Sequence, residues 1–111
     1  MALNIYVDID QTIARTPEGK YDLAVPIPER IQMINRLYDE GNNIIYWTGR
    51  GTVTGIDWTR LTKAQLDSWG VKYHQLLMGK PAFDIFIDDK AFNSNTFFKK
   101  IDEDMKQLAM V

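Results

Sequence analysis

Leu3-Asn4-Ile5-Tyr6-Val7-Asp8-Ile9-Asp10-Gln11-Thr12 is an apolar run that ends in two carboxylates two residues apart. Placing two such groups at the end of a buried strand is costly. In extended backbone alternate side chains share a face, so Asp8 and Asp10 can point into one cavity. A cation is the simplest way to hold them together. A second apolar run, Phe83–Ile87, also ends in a carboxylate pair, Asp88-Asp89. Between them, Ile44–Trp47 ends in Thr48-Gly49-Arg50, and Lys80 follows the run Tyr73–Met78. Four strand-like segments thus deliver polar residues at their C-terminal ends, the edge at which open α/β sheets build their sites.

The remaining segments fit the same architecture. Leu3–Val7 reads as a central strand, apolar on both faces. Thr12–Ile27, with Pro17, Gly19 and Pro26, reads as a loop or short hairpin beside the first carboxylates. Pro28 and Glu29 open a helix whose Ile31, Ile34, Leu37 and Tyr38 share a face, and Gly41 is its C-terminal cap. Asn43–Trp47 is the second strand, followed by a glycine-rich loop, Gly49–Ile56. Asp57 reads as the N-cap of a helix carrying Trp58, Leu61, Leu66 and Trp69, closed by Gly70. Lys72–Leu77 and Ala82–Ile87 are two further predicted strands, and a last helix is predicted from about Asn95 to Leu108. This order predicts one domain over 1–111: a Rossmann-like, doubly wound, mainly parallel sheet with helices on both faces.

Composition narrows the function classes. The 111 residues are 45% hydrophobic, enough for a core in one domain. Thirteen basic and fifteen acidic residues leave a formal charge of −2, which disfavours a general nucleic-acid binder but not a small phosphorylated ligand. Without cysteine there is no disulfide, thiolate chemistry or cysteine-based zinc site. No run reaches membrane-spanning length and the first residues lack a charged leader, so a cytoplasmic protein without membrane partners is expected. His74, the lone histidine, adjoins Tyr73 in a predicted strand and reads as structural.

An oxygen-rich cluster without His or Cys suits a hard cation, with Mg²⁺ the natural candidate. One carboxylate can attack phosphorus to give an aspartyl-phosphate, and a second can exchange protons with the leaving oxygen and with water. The Thr48 hydroxyl, the backbone N–H groups around Gly49 and the Lys80 ammonium are the donors for the phosphoryl oxygens.

Taken in order, Asp8, Asp10 and Thr12, then Thr48, then Lys80, then Asp88 with Asp89, the chain resembles the haloacid dehalogenase superfamily of phosphohydrolases. The resemblance implies Asp8 as nucleophile and Asp10 as general acid/base. It implies Mg²⁺ held by Asp8, the Asp10 carbonyl and Asp88, with Asp89 binding one of the ion's waters or supporting it from outside. It puts Thr12 and Gly49 beside the substrate. Arg50 either joins them or pairs with a nearby carboxylate. The family commonly has Gly where this chain has Gln11; if that site needs positive φ the Gln is strained, and otherwise its amide can line the pocket.

From Thr12 to Thr48 there are 35 intervening residues and from Thr48 to Lys80 there are 31, all consumed by the elements above. The family inserts cap domains in these gaps, so the resemblance implies a capless member with an open site. Thr12–Ile27 is then the candidate flap, with Arg15 reaching for a substrate anion, and a homo-oligomeric neighbour is another route to closure. Gly79–Ala91, Trp47–Gly51 and Trp69–His74 look like small capless members from bacterial capsule and lipopolysaccharide clusters, which implies a sugar or polyol phosphate. Two alternatives remain: a polynucleotide 3′-phosphatase, disfavoured by the acidic charge, and a receiver-like phospho-accepting module. A receiver expects its acidic pair after the first strand and its Lys last, the reverse of the order here.

Overall fold

The computed structural model describes residues 2–100. Its core is a parallel three-stranded sheet in the order β1-β4-β5, formed by Asn4–Val7 (β1), Asn43–Trp47 (β4) and Gln75–Leu77 (β5). Between β1 and β4 the chain makes a small antiparallel hairpin, Ala14–Arg15 (β2) with Val25–Pro26 (β3), and then helix Pro28–Asp39 (α1). Helix Thr59–Ser68 (α2) connects β4 to β5. The fold is a small α/β arrangement with a parallel sheet flanked by helices.

The helices form where the apolar spacing predicts. Ile31 and Ile34 of α1 are buried, with Leu37 and Tyr38 packed beside them. The helix ends at Gly41, whose φ of 97° lets the amides of Gly41 and Asn42 turn back to the carbonyls of Tyr38 and Leu37. Helix α2 starts at Thr59 with Trp58 at its N-cap; Asp57, expected at that position, instead accepts the Thr59 amide from one residue earlier, at 2.9 Å. Ile9, Ile13, Ile34, Ile44, Tyr46 and Leu66 are fully buried and form the centre of the core. His74 is structural: its Nδ1 accepts the Ile44 amide at 3.0 Å and its ring stacks on Tyr38 at 4.5 Å.

Three expectations need correction. β1 is an edge strand, paired with β4 on one side only among the described residues, and Leu3 and Tyr6 are exposed. β5 is shorter than Lys72–Leu77, because the Val71 amide closes α2 on Leu66 and the Lys72 amide is taken by Asn35. Residues 82–87 form no strand, and every residue from 81 to 93 is exposed. A strand parallel to β1 must begin at the opposite end of the sheet from Lys80, and only Pro81 and Ala82 separate Lys80 from Phe83. After this run the chain is helical over 94–100, where Phe98 returns to the core. The rest of the predicted last helix lies outside the described residues.

One core group has no match to its burial. Tyr46 is fully buried, yet its hydroxyl has no hydrogen-bond partner among the described residues, and burial pushes that hydroxyl's pKa upward. An unpaired buried hydroxyl costs about 1–3 kcal/mol. Tyr46→Phe is therefore expected to stabilise the fold by about 1 kcal/mol in urea unfolding; a comparable loss would show that the hydroxyl is satisfied.

Candidate functional site

Alternation at the end of β1 aims the two carboxylates. Val7 and Ile9 are buried, so Asp8 and Asp10 turn away from the core. The Ile9 carbonyl accepts the amides of Thr12, Ile13 and Ala14 at 3.1, 2.9 and 3.2 Å, which folds the chain sharply after Asp10. Gln11 makes that turn with φ of 61°, a left-handed conformation that costs a non-glycine residue about 1 kcal/mol or more. Its amide offsets the strain: Nε2 donates to the Thr16 carbonyl, and Oε1 accepts the Thr16 amide at 3.5 Å. Both sequence-level alternatives for Gln11 hold, because it has positive φ and also lines the cleft.

Arg50 organises the interior of the site. Its side chain is fully buried and forks onto Asp10, with Nε to Oδ2 at 2.9 Å and Nη2 to Oδ1 at 2.8 Å. Nη1 donates to Thr62 Oγ1 at 3.2 Å and to Gln65 Oε1 at 2.6 Å, and the guanidinium lies 5.0 Å from the centre of the Tyr21 ring. Thr16 donates its hydroxyl to Asp10, and Gln65 donates to the Tyr21 carbonyl at 2.7 Å. The candidate flap is thus tied to β1 and α2. Of the two readings of Arg50, the structure shows pairing with a carboxylate.

Lys80 serves Asp8. Its Nζ lies 3.7 Å from Asp8 Oδ1, and its amide donates to the Thr48 carbonyl at 3.0 Å. Gly49 allows this approach, since a Cβ there would sit 3.1 Å from the Lys80 carbonyl oxygen. Gly51 is required by the loop itself: φ is +82° and a Cβ would collide with the Ile56 carbonyl. Burial pushes the Asp8 carboxyl above its ordinary pKa, with Asp10 adding to the shift, while Lys80 and the Ile9 amide oppose it.

Asp8, Asp10, Gly49, Arg50 and Lys80 line one open cleft of about 340 Å³ at the C-terminal edge of the sheet. Thr48 is buried behind it, its hydroxyl accepting the Arg50 amide at 3.2 Å. Thr12 and Arg15 do not line this cleft; the Thr12 carbonyl is held by Arg30, and Arg15 is exposed on β2. Asp88 and Asp89 lie in the exposed run, where Asp88 accepts the Lys90 amide at 3.3 Å. Among the described residues, no three Asp, Glu, His or Cys side chains gather as a metal site. Asp8 and Asp10 each face one cation, so the pair carries no surplus charge. The described residues of one chain do not by themselves fit Mg²⁺.

Sequence reasoning missed Thr16, Tyr21, Thr62 and Gln65. For the two on α2 a signal was present. Thr62 lies four residues from both Trp58 and Leu66, and Gln65 four from both Leu61 and Trp69. They are polar residues within the apolar stripe, a pattern that calls for a buried polar partner. Thr16 and Tyr21 have no such periodicity.

Two stability measurements test this arrangement. Arg50→Ala strands Asp10 beside buried neighbours and is expected to cost about 3 kcal/mol, with Arg50→Lys rescuing little because an ammonium cannot make the fork. A loss under about 0.5 kcal/mol in urea unfolding would mean the ion pair contributes only as an exposed one does. Asp8 holds its proton more tightly folded than unfolded, so ionising it costs stability above the unfolded carboxylate range. Without divalent ions, Asp8→Asn should melt higher than wild type at pH 7. That advantage should vanish once the pH falls below the ordinary carboxylate value of 3.8. A lower melting temperature at pH 7 would reverse the sign.

No protein-family profile matches the chain, and no curated protein does. Its fold is similar to the crystal structure of a structural-genomics target from Vibrio cholerae, with a TM-score of 0.81 and 25% sequence identity, over 97% of this chain and 96% of that one.

Proposed function

We propose that this chain is a cytoplasmic phosphate-monoester hydrolase of the haloacid dehalogenase kind, acting on a small sugar or polyol phosphate. The supporting observation is that Asp8 and Asp10, Gly49-Arg50 and Lys80 come from three distant parts of the sequence and meet around one cleft. That cleft lies at the edge where doubly wound sheets, with helices on both faces, bind their ligands. It is open on one side, in keeping with a capless member and a small phosphorylated substrate. No helix among the described residues is long and apolar enough to cross a membrane.

In this reading an Asp8 oxygen attacks phosphorus, and the ester P–O bond breaks with its electron pair going to the leaving oxygen. Asp10, entering the step in its protonated form, supplies the proton that oxygen takes up. Water then attacks phosphorus, Asp10 takes its proton, and the bond to Asp8 breaks to release inorganic phosphate. Both Asp10 oxygens are engaged by Arg50, so each proton transfer requires one of them to turn out of that fork into the cleft. Lys80 and the Gly49 backbone face the transferred phosphoryl oxygens and stabilise the charge that develops there. Mg²⁺ is the expected cofactor and would supply charge neutralisation to the phosphoryl group. In one chain Asp8 is the available carboxylate for it, and further ligands must be brought to the cleft.

The test is phosphate release from a panel of sugar phosphates, polyol phosphates, nucleotides and 3′-phosphorylated oligonucleotides, with Mg²⁺ or with EDTA. Turnover is expected with Mg²⁺ on a sugar or polyol phosphate. Asp8→Asn should reduce it by roughly a thousandfold or more, and Lys80→Ala by about 10²–10³. Fastest release from oligonucleotides would replace the substrate class. A stable phosphoprotein from acetyl phosphate, without turnover, would support the receiver-like reading.

A further inference from the structure

Residues 81–93 pose a physical problem. They include Phe83, Ile85, Phe86, Ile87 and Phe92, which are between 48% and 93% exposed. An apolar five-residue strand signal left wholly in water is unstable on its own. β1 presents an edge with no strand beside it among the described residues, flanked by exposed Tyr6. The arm and the edge are complementary. The question is whether they can belong to the same chain.

Chain length answers it. For Asp88 to stand level with Asp8 on a parallel strand, Phe83 must stand level with Leu3, at the far end of β1. That end is about 17 Å from the C-terminal edge at about 3.3 Å per residue. Lys80 is fixed at the C-terminal edge by its hydrogen bond to Thr48 and its contact with Asp8. Phe83 lies there too, lining the cleft with its ring 5.4 Å from Lys80 Nζ. Three residue steps reach at most about 11 Å. An antiparallel return along β1 is within reach, but it would carry Asp88 and Asp89 to the wrong end of the sheet.

We propose that residues 83–89 of a second copy add as a parallel strand to the free edge of β1, and that the two copies exchange these arms reciprocally. Leaving its own cleft, the arm runs toward the N-terminal edge of its own sheet. A two-fold axis across the strands makes that same direction parallel to β1 of the second copy. The six steps from Asp88 to Ser94 span up to about 21 Å, enough to return to the home body. There Ser94 Oγ contacts the Gln11 carbonyl at 3.4 Å and Asn95 accepts from Arg30 at 2.9 Å. Each cleft then receives Asp88 and Asp89 of the partner subunit beside Asp8 and Asp10. The carboxylates missing from the single-chain cluster are supplied in trans. Strand exchange stands on geometry alone, while the role of the delivered carboxylates rests on the phosphatase reading.

The chain has no cysteine, which makes pairing directly readable. With Asp88 level with Asp8, Phe86 falls beside Tyr6. The variant Tyr6→Cys/Phe86→Cys, oxidised and run on a non-reducing gel, should give a covalent dimer. A monomer with an internal disulfide, or no disulfide at all, would overturn the exchange. Light scattering on the unmodified protein should give twice the chain mass; a monomer at micromolar concentration would overturn it independently of any variant. Co-refolding Asp8→Asn with Asp88→Asn, each inactive alone, should restore about a quarter of wild-type phosphate release, because half of the randomly paired dimers contain one intact site. No recovery beside an active wild type would place Asp88 in cis and overturn the exchange. A cross-linked dimer with an inactive wild type would uphold the exchange and overturn the phosphatase reading.

Discussion

The ion pair between Asp10 and Arg50 is the constraint on which the rest of the site depends. A buried guanidinium must have its donors satisfied, and here they are met by the end of β1, two residues of α2 and the face of Tyr21. Removing any one of these elements leaves a polar group stranded in a low-dielectric interior, which costs more than the pair itself contributes. The arrangement therefore gives specificity of position more than net stability. It sets where the first strand ends relative to the second and holds the flap over the cleft through Thr16 and Tyr21.

Lys80 and Gly49 play the complementary role on the outer side. Because Gly49 lacks a side chain, the chain after Met78 passes close enough to hydrogen-bond Thr48 and to bring an ammonium near Asp8. Two carboxylates and two cations then share one small volume. They differ in environment: Arg50 is sealed from water, while Lys80 and Asp8 remain partly exposed to the cleft. The inner pair fixes the geometry of the site, and the outer pair faces the open cleft.

Much of this was legible from residue spacing. The buried faces of α1, the glycine that ends it, and the delivery of polar residues from the ends of β1 and β4 all follow from local periodicity. Gln65 and Thr62 were legible only in principle, as polar positions inside an apolar stripe. Thr16 and Tyr21 were not, because their partners lie outside any regular element and no local rule selects them. The largest difference concerns residues 82–87. Their composition reads as a strand, yet they form none, because a strand also needs a neighbour and composition does not provide one. With Lys80 anchored at the sheet edge, three residue steps are too few to reach the far end of β1, so no parallel strand forms within the chain.

The ends of the exposed arm carry a consequence for self-association. An apolar segment beside an open sheet edge is the arrangement from which fibrils grow, by repeated addition of one chain to the next. Here the segment is interrupted by Asp84 and bounded by Pro81 on one side and Asp88-Asp89-Lys90 on the other. Proline withholds a backbone donor, and stacked like charges repel one another in any in-register array. These residues act as gatekeepers: they tolerate a single, symmetric pairing in which each edge is covered once, and they penalise the open-ended polymer that the same hydrophobic surface would otherwise promote.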